Sequence, residues 1–118
     1  MKKILALLFV AAFAFCVDAR AEFINGFEEI PLMNGLHQGE EFSFDTEEAR
    51  VVEQYVSSDE IGAMQFVVFY KETLKSLGWT LGRESGERLT FTREGERLEI
   101  TIDSKKPLQA TFLLTPAG

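Results

Sequence analysis

The chain has 118 residues, a single cysteine and a net charge of −7. That length holds one hydrophobic core and not two, and one cysteine cannot form a disulfide within the chain. The acidic balance opposes nucleic acid or an anionic membrane surface as a partner.

The N-terminus reads as a cleavable secretory signal over residues 1–21. Lys2 and Lys3 supply a positive start, and the run from Ile4 to Val17 is wholly apolar. Asp18-Ala19-Arg20-Ala21 follows, with small residues Ala19 and Ala21 where a signal peptidase reads and Glu22 as the first mature residue. At 1.5 Å per residue the apolar run spans roughly 21 Å, short of the ~30 Å hydrocarbon core, so a permanent membrane anchor is the weaker reading. Cys16 would suit a lipoprotein only if a small residue preceded it. Phe15 precedes it, and Cys16 lies inside the apolar run, so it reads as filler. Cleavage leaves Glu22 to Gly118 without cysteine. It also moves the net charge to −9, because the leader carries Lys2, Lys3 and Arg20 against Asp18 alone.

Residues 22–48 are expected to form an extended arm across the main domain. Asn25-Gly26, Pro31, Asn34-Gly35 and Gly39 are turn formers. Pro31 biases Ile30 away from helix. Phe23, Phe27, Ile30, Leu32, Leu36, Phe42 and Phe44 make the segment too apolar for a disordered tail. Phe42 and Phe44 fall on one side of a short strand.

Residues 49–118 are expected to form an α+β domain. Val51–Val56 is a β-rich run read as a strand. Ser57 and Glu60 have capping-box spacing, which predicts a helix running to about Leu77. Ala63, Met64, Val67, Tyr70, Leu74 and Leu77 form its apolar face, widened by Phe66 and Phe69. Gly78 stands where a left-handed residue ends a helix, and Trp79 can fold back on the last turn. A β-meander follows: a strand from Trp79, a flexible loop over 82–86, and strands over 89–93, 98–102 and 108–114. Glu94-Gly95 is the turn that pairs Phe91 with Leu98 and Leu89 with Ile100. A turn over 103–107 would pair Ile102 with Leu108, Ile100 with Ala110 and Leu98 with Phe112. The expected architecture is one amphipathic helix on one face of an antiparallel sheet of four or five strands, in the order β-α-β-β-β-β.

The segment Phe69-Tyr70-Lys71-Glu72-Thr73-Leu74-Lys75-Ser76-Leu77-Gly78-Trp79, followed by Leu89-Thr90-Phe91 and Leu98-Glu99-Ile100, resembles a pattern in small exported proteobacterial proteins. Those proteins carry an F-Y-x-x-x-L-x-x-L-G-W helix end and then a β-meander. Ile30 to Leu36 is similar to an upstream segment in some of them. The resemblance implies an envelope location and an α+β fold. It assigns no activity and no catalytic residue.

Chemistry-bearing residues are sparse. His37 is the only histidine, and a zinc site around it would need carboxylates for its other protein ligands. Glu28-Glu29, Glu40-Glu41 and Asp45-Thr46-Glu47-Glu48 offer oxygen ligands of the kind calcium takes, without the EF-hand pattern. No serine lies in a G-x-S-x-G elbow, and Gly82 to Gly86 lacks the Gly-Lys-Ser/Thr end of a P-loop. The expectation is therefore a non-enzymatic binding or adaptor module without cofactor, which meets an envelope protein through a sheet edge or the polar sheet face. A small-ligand or calcium-binding protein is the alternative. A small hydrolase using His37 is the third reading.

Overall fold

The structure is a computed structural model that describes residues 22–45 and 50–117. In chain order it comprises β1 (Phe23–Ile24), β2 (Phe27–Pro31), β3 (His37–Asp45), β4 (Arg50–Ser58), α1 (Ala63–Ser76), β5 (Thr80–Ser85), β6 (Arg88–Arg93), β7 (Glu96–Lys105) and β8 (Leu108–Pro116). Strands β3 to β8 form one antiparallel sheet in the order β3-β4-β8-β7-β6-β5, and β1 pairs with β2 in a separate ribbon. One helix against a large antiparallel sheet is the expected α+β class. The sheet is larger than expected, with six strands, and residues 37–45 are its edge strand and not part of an overlying arm.

Alternation along each strand sorts the side chains by face. Leu89, Ile100, Phe112 and Gln54 form one lateral row, and Phe91, Leu98, Leu114 and Val52 form the next. All eight are buried. The helix and the ribbon cover this inner face. Phe112 lies at the junction: its ring is 5.0 Å from Tyr70 and 6.0 Å from Phe66 on α1, and 6.2 Å from Phe27 on the ribbon. Edge-to-face pairs of this kind contribute about 0.5–1.5 kcal/mol each beyond area burial.

The helix begins later than expected, with Gly62 as its N-cap. Ser57 lies within β4, so it cannot cap. Ser58 is the residue that turns the chain, its Oγ accepting the backbone N–H of Glu60 at 3.0 Å and of Ile61 at 3.1 Å. Glu60 caps nothing; Gln65 occupies the third helical position and its Oε1 accepts the Gly62 N–H at 3.3 Å. The later start accompanies a rotated apolar stripe. Phe66, Tyr70 and Leu74 are fully buried, whereas Met64 is 79% exposed and Leu77 is also exposed.

Two turns in the meander are instructive. Glu94 (φ 48°) and Gly95 (φ 82°) are both left-handed, the geometry that matches strand twist, and the β6–β7 register is the expected one. At the next turn β7 runs on to Lys105, with an extra residue at Asp103. Ile102 therefore faces Ala110, Ile100 faces Phe112 and Leu98 faces Leu114. The expected register is displaced by two residues, which keeps every apolar side chain on the same face. Residues 82–85, expected in a loop, belong to β5 with a bulge between Leu81 and Arg83.

Candidate functional site

The sequence-marked residues of the helix end hold the fold together. The Tyr70 hydroxyl donates to Pro31 O at 2.8 Å and accepts the Met33 N–H at 2.9 Å, tying α1 to the chain after β2. Burial pushes its phenol above its ordinary range. Phe69 packs edge-on against Tyr70 at 4.8 Å. Gly78 has φ 95°, its N–H bonds to Lys75 O at 3.1 Å, and the Trp79 N–H bonds to Leu74 O at 2.9 Å. This pair of bonds satisfies the last helix carbonyls and seats Trp79 beside Leu74.

Arg93 closes the same corner. Its guanidinium lies 4.8 Å over the Trp79 ring and donates to Leu77 O at 2.9 Å. It also pairs with Glu29, which lies near Arg50, itself paired with Glu96 at 3.3 Å. Glu96 holds the Arg50 guanidinium above its ordinary range. This chain of charges joins the ribbon to three strands of the sheet. The sequence marks Glu29 only as part of an acidic pair and does not link it to Arg93, Arg50 and Glu96, because these are distant in the chain.

Among the described residues, the other sequence-marked groups lie apart from one another, except Ser57 and His37. Ala19 and Ala21 lie outside the described residues, as do residues 46–48 of the acidic run, while Glu22 is the first described residue. Ser57 lies on β4 opposite His37 and Gln109. His37 is exposed at the start of β3. Among the described residues no three His, Cys, Asp or Glu side chains gather in a way that could hold a metal ion. None of the described helices is long and apolar enough to cross a membrane.

Among the described residues, two surfaces stand out as able to bind a partner or ligand. The first is a groove of about 800 Å³ between the C-terminal half of α1 and strands β5 and β6. Trp79, Leu81 and Phe91 line it, with Lys71, Glu72 and Lys75 from the helix. Lys71 is paired with Glu84 at 3.0 Å, so its charge is largely offset. The second is the β3 edge and the sheet face opposite the helix, which no other described element covers. On that outer face, Phe42 faces Glu53 and Phe44 faces Val51 across the β3–β4 ladder. Phe42 is 60% exposed and Phe44 59% exposed. Tyr55 and Leu113 extend the patch inward, Tyr55 exposed and Leu113 half-buried. The nearby potential is negative: Glu53 above all, with Asp103 and Glu40, holds the Tyr55 phenol above its ordinary range.

A buried amide shapes this edge. Gln54 points into the core, and its Nε2 reaches Gly39 O at 3.1 Å, Glu40 O at 3.2 Å and Tyr55 O at 2.9 Å. Gly39 and Glu40 form a bulge between the pairs Gln38–Val56 and Glu41–Gln54. Beyond it, residues 41–45 run in unbroken register with β4. Phe42 and Phe44 are visible as a pair in the sequence. Their exposure follows from β3 being an edge strand, which local pattern does not reveal. No protein-family model matches the chain, and no curated protein or solved structure matches it significantly.

Proposed function

We propose that the mature chain, starting at Glu22, is a non-enzymatic adaptor of the cell envelope that holds a protein partner on the β3 edge and the sheet face beside it. The observation that carries this reading is the adjacent, exposed pair Phe42 and Phe44 on an edge strand. β3 carries a bulge and carboxylates of the kind that blunt natural edges, yet past the bulge Phe42 and Phe44 leave an apolar stretch where unpaired N–H and C=O groups can recruit another strand. Apolar patches of this kind mark contact surfaces. The leader sequence and the resemblance to exported proteins support the location. Affinity capture from a periplasmic extract with the mature protein tests the reading. A partner stable to salt washing, and lost with Phe42→Lys/Phe44→Lys, supports it; recovery of none overturns it. N-terminal sequencing of the exported form, expected to begin at Glu22, tests the location.

The groove beside Trp79 favours a second reading, a small apolar ligand. Its size lies within the range of small-molecule sites. A screen of common lipids would then raise the melting temperature of the native protein and not of Leu81→Asp.

A further inference from the structure

We infer that β3 takes up its partner by strand addition, and that the segment it accepts is extended and alternates apolar with basic residues; this rests on the adaptor reading above. The stretch Glu41-Phe42-Ser43-Phe44-Asp45 is the regular part of β3, past the bulge that Gln54 holds. One side of it is paired to β4, and the other side is the edge of the sheet, which no other described strand pairs with. A strand laid there finds unpaired backbone donors and acceptors at every second residue.

The side chains of β3 dictate which sequence suits. Phe42 and Phe44 face outward with Glu53 and Val51. Glu41, Ser43 and Asp45 share the inner side with Gln54, Val52 and Arg50. An added strand therefore meets aromatic rings on one face and carboxylates on the other. Its own side chains alternate in the same way, so apolar residues fall beside Phe42 and Phe44, and lysine or arginine beside Glu41 and Asp45. β3 contains no lysine or arginine of its own. The surrounding Glu40 and Glu53, and the mature charge of −9, reinforce the preference for a basic segment. A second copy of this chain is the wrong occupant. Antiparallel pairing of residues 41–45 with the same five residues of a second copy, centred on Ser43, would set Glu41 opposite Asp45 at both ends, and like charges directly opposite destabilise a ladder. The β5 edge offers less: its apolar residue Leu81 belongs to the groove on the other face, and the Glu84 carboxylate is already paired with Lys71.

The experiment titrates the mature protein with a capped synthetic peptide of core Lys-Val-Thr-Val-Lys, read by fluorescence anisotropy of the labelled peptide and by amide shifts of residues 41–45. Saturable binding with shifts in that stretch is expected. Replacing both lysines by glutamate should weaken binding at least tenfold, and raising salt should weaken the parent peptide. N-methylation of alternate amides should abolish binding, because it removes the ladder donors and leaves the side chains. Phe42→Lys/Phe44→Lys changes only exposed side chains, should melt like the native protein, and should lose at least tenfold in affinity. Absence of binding, equal binding of the N-methylated peptide, or equal binding of the glutamate peptide overturns the inference. So do a β3-dependent dimer in sedimentation and binding to phosphatidylcholine vesicles in place of the peptide. A salt-stable partner captured from extract while the peptide fails leaves the adaptor reading standing and removes strand addition alone.

Discussion

Tyr70 and Arg93 show how single side chains join parts of this fold that are distant in sequence. Tyr70→Phe keeps the ring against Phe66 and Phe112 and removes the hydroxyl that serves Pro31 O and the Met33 N–H. The expected cost is about 1–3 kcal/mol in denaturant unfolding, since two backbone groups lose a partner. The same residue sets an alkaline limit. Burial disfavours the phenolate, so the folded state holds this proton more tightly than the unfolded chain, whose phenol titrates near 10.0. Its contribution is complete below that pH and is lost as pH rises above it. Unfolding free energy measured at pH 8 and pH 11 should fall less in Tyr70→Phe than in the native protein. Arg93→Ala removes the cation over Trp79, the Leu77 carbonyl bond and the Glu29 pair together. A loss of about 1–2 kcal/mol is expected. Trp79 emission should shift to the red as the indole gains water, a change that a distant destabilising substitution would not produce in the folded state.

At the level of elements, the bulge in β3 and the two-residue displacement at the β7–β8 turn are each accompanied by side-chain hydrogen bonds that the apolar pattern does not reveal. The bulge has a local agent: Gln54 is buried in an otherwise apolar row and uses its amide on the carbonyls of Gly39 and Glu40. Gln54→Leu fills similar volume but leaves those carbonyls without their donor. Faster hydrogen exchange of amides 38–41, with β7 and β8 unchanged, is expected from mass-spectrometric exchange measurements. Unchanged protection there would mean that the bulge holds itself. At the β7–β8 turn the Ser104 hydroxyl donates to Pro107 O at 2.8 Å and the Thr111 hydroxyl to Asp103 Oδ2 at 2.7 Å, contacts that the apolar pattern does not announce. Alternating apolar residues distinguish a slip of one, which would turn the inner face outward, and are blind to a slip of two. The pattern over 98–114 accordingly reveals the face of each residue, while the length of the turn decides its neighbour. The helix start behaves in the same way. Ser57 and Ser58 are adjacent hydroxyls with similar capping ability, and the length of β4 selects Ser58.

For the molecule as a whole, the N-terminal ribbon is part of the core. Ile24, Phe27 and Ile30 are each buried to within 1%, and fully burying such side chains contributes about 1.5–3 kcal/mol apiece. Domains of this size have a net stability of only about 5–15 kcal/mol. A chain beginning at Leu36 should therefore be unfolded or molten, with strong binding of a hydrophobic dye and loss of near-ultraviolet circular dichroism. A cooperative melt close to that of the chain from Glu22 would show the ribbon to be dispensable. Gly26 explains how closely it sits. A Cβ there would come within 2.6 Å of Val52 Cγ1 and 2.9 Å of Glu41 Oε2, at a backbone φ of 85°. Gly26→Ala should accordingly lower the melting temperature by several degrees, through both strain and the displaced ribbon.

Period and residue type alone determined the α+β class, the helix with glycine at its end, the inward face of each meander strand and the Glu94-Gly95 turn. These follow from local stereochemistry and from the requirement that apolar side chains share a face. Only the tertiary structure decided that residues 37–45 form an edge strand, that Phe42 and Phe44 lie open to solvent, that Met64 turns outward, and that Arg93, Glu29, Arg50 and Glu96 meet. Each depends on which strands become neighbours. That choice is settled by burial of the whole inner face at once, and no window along the chain contains it.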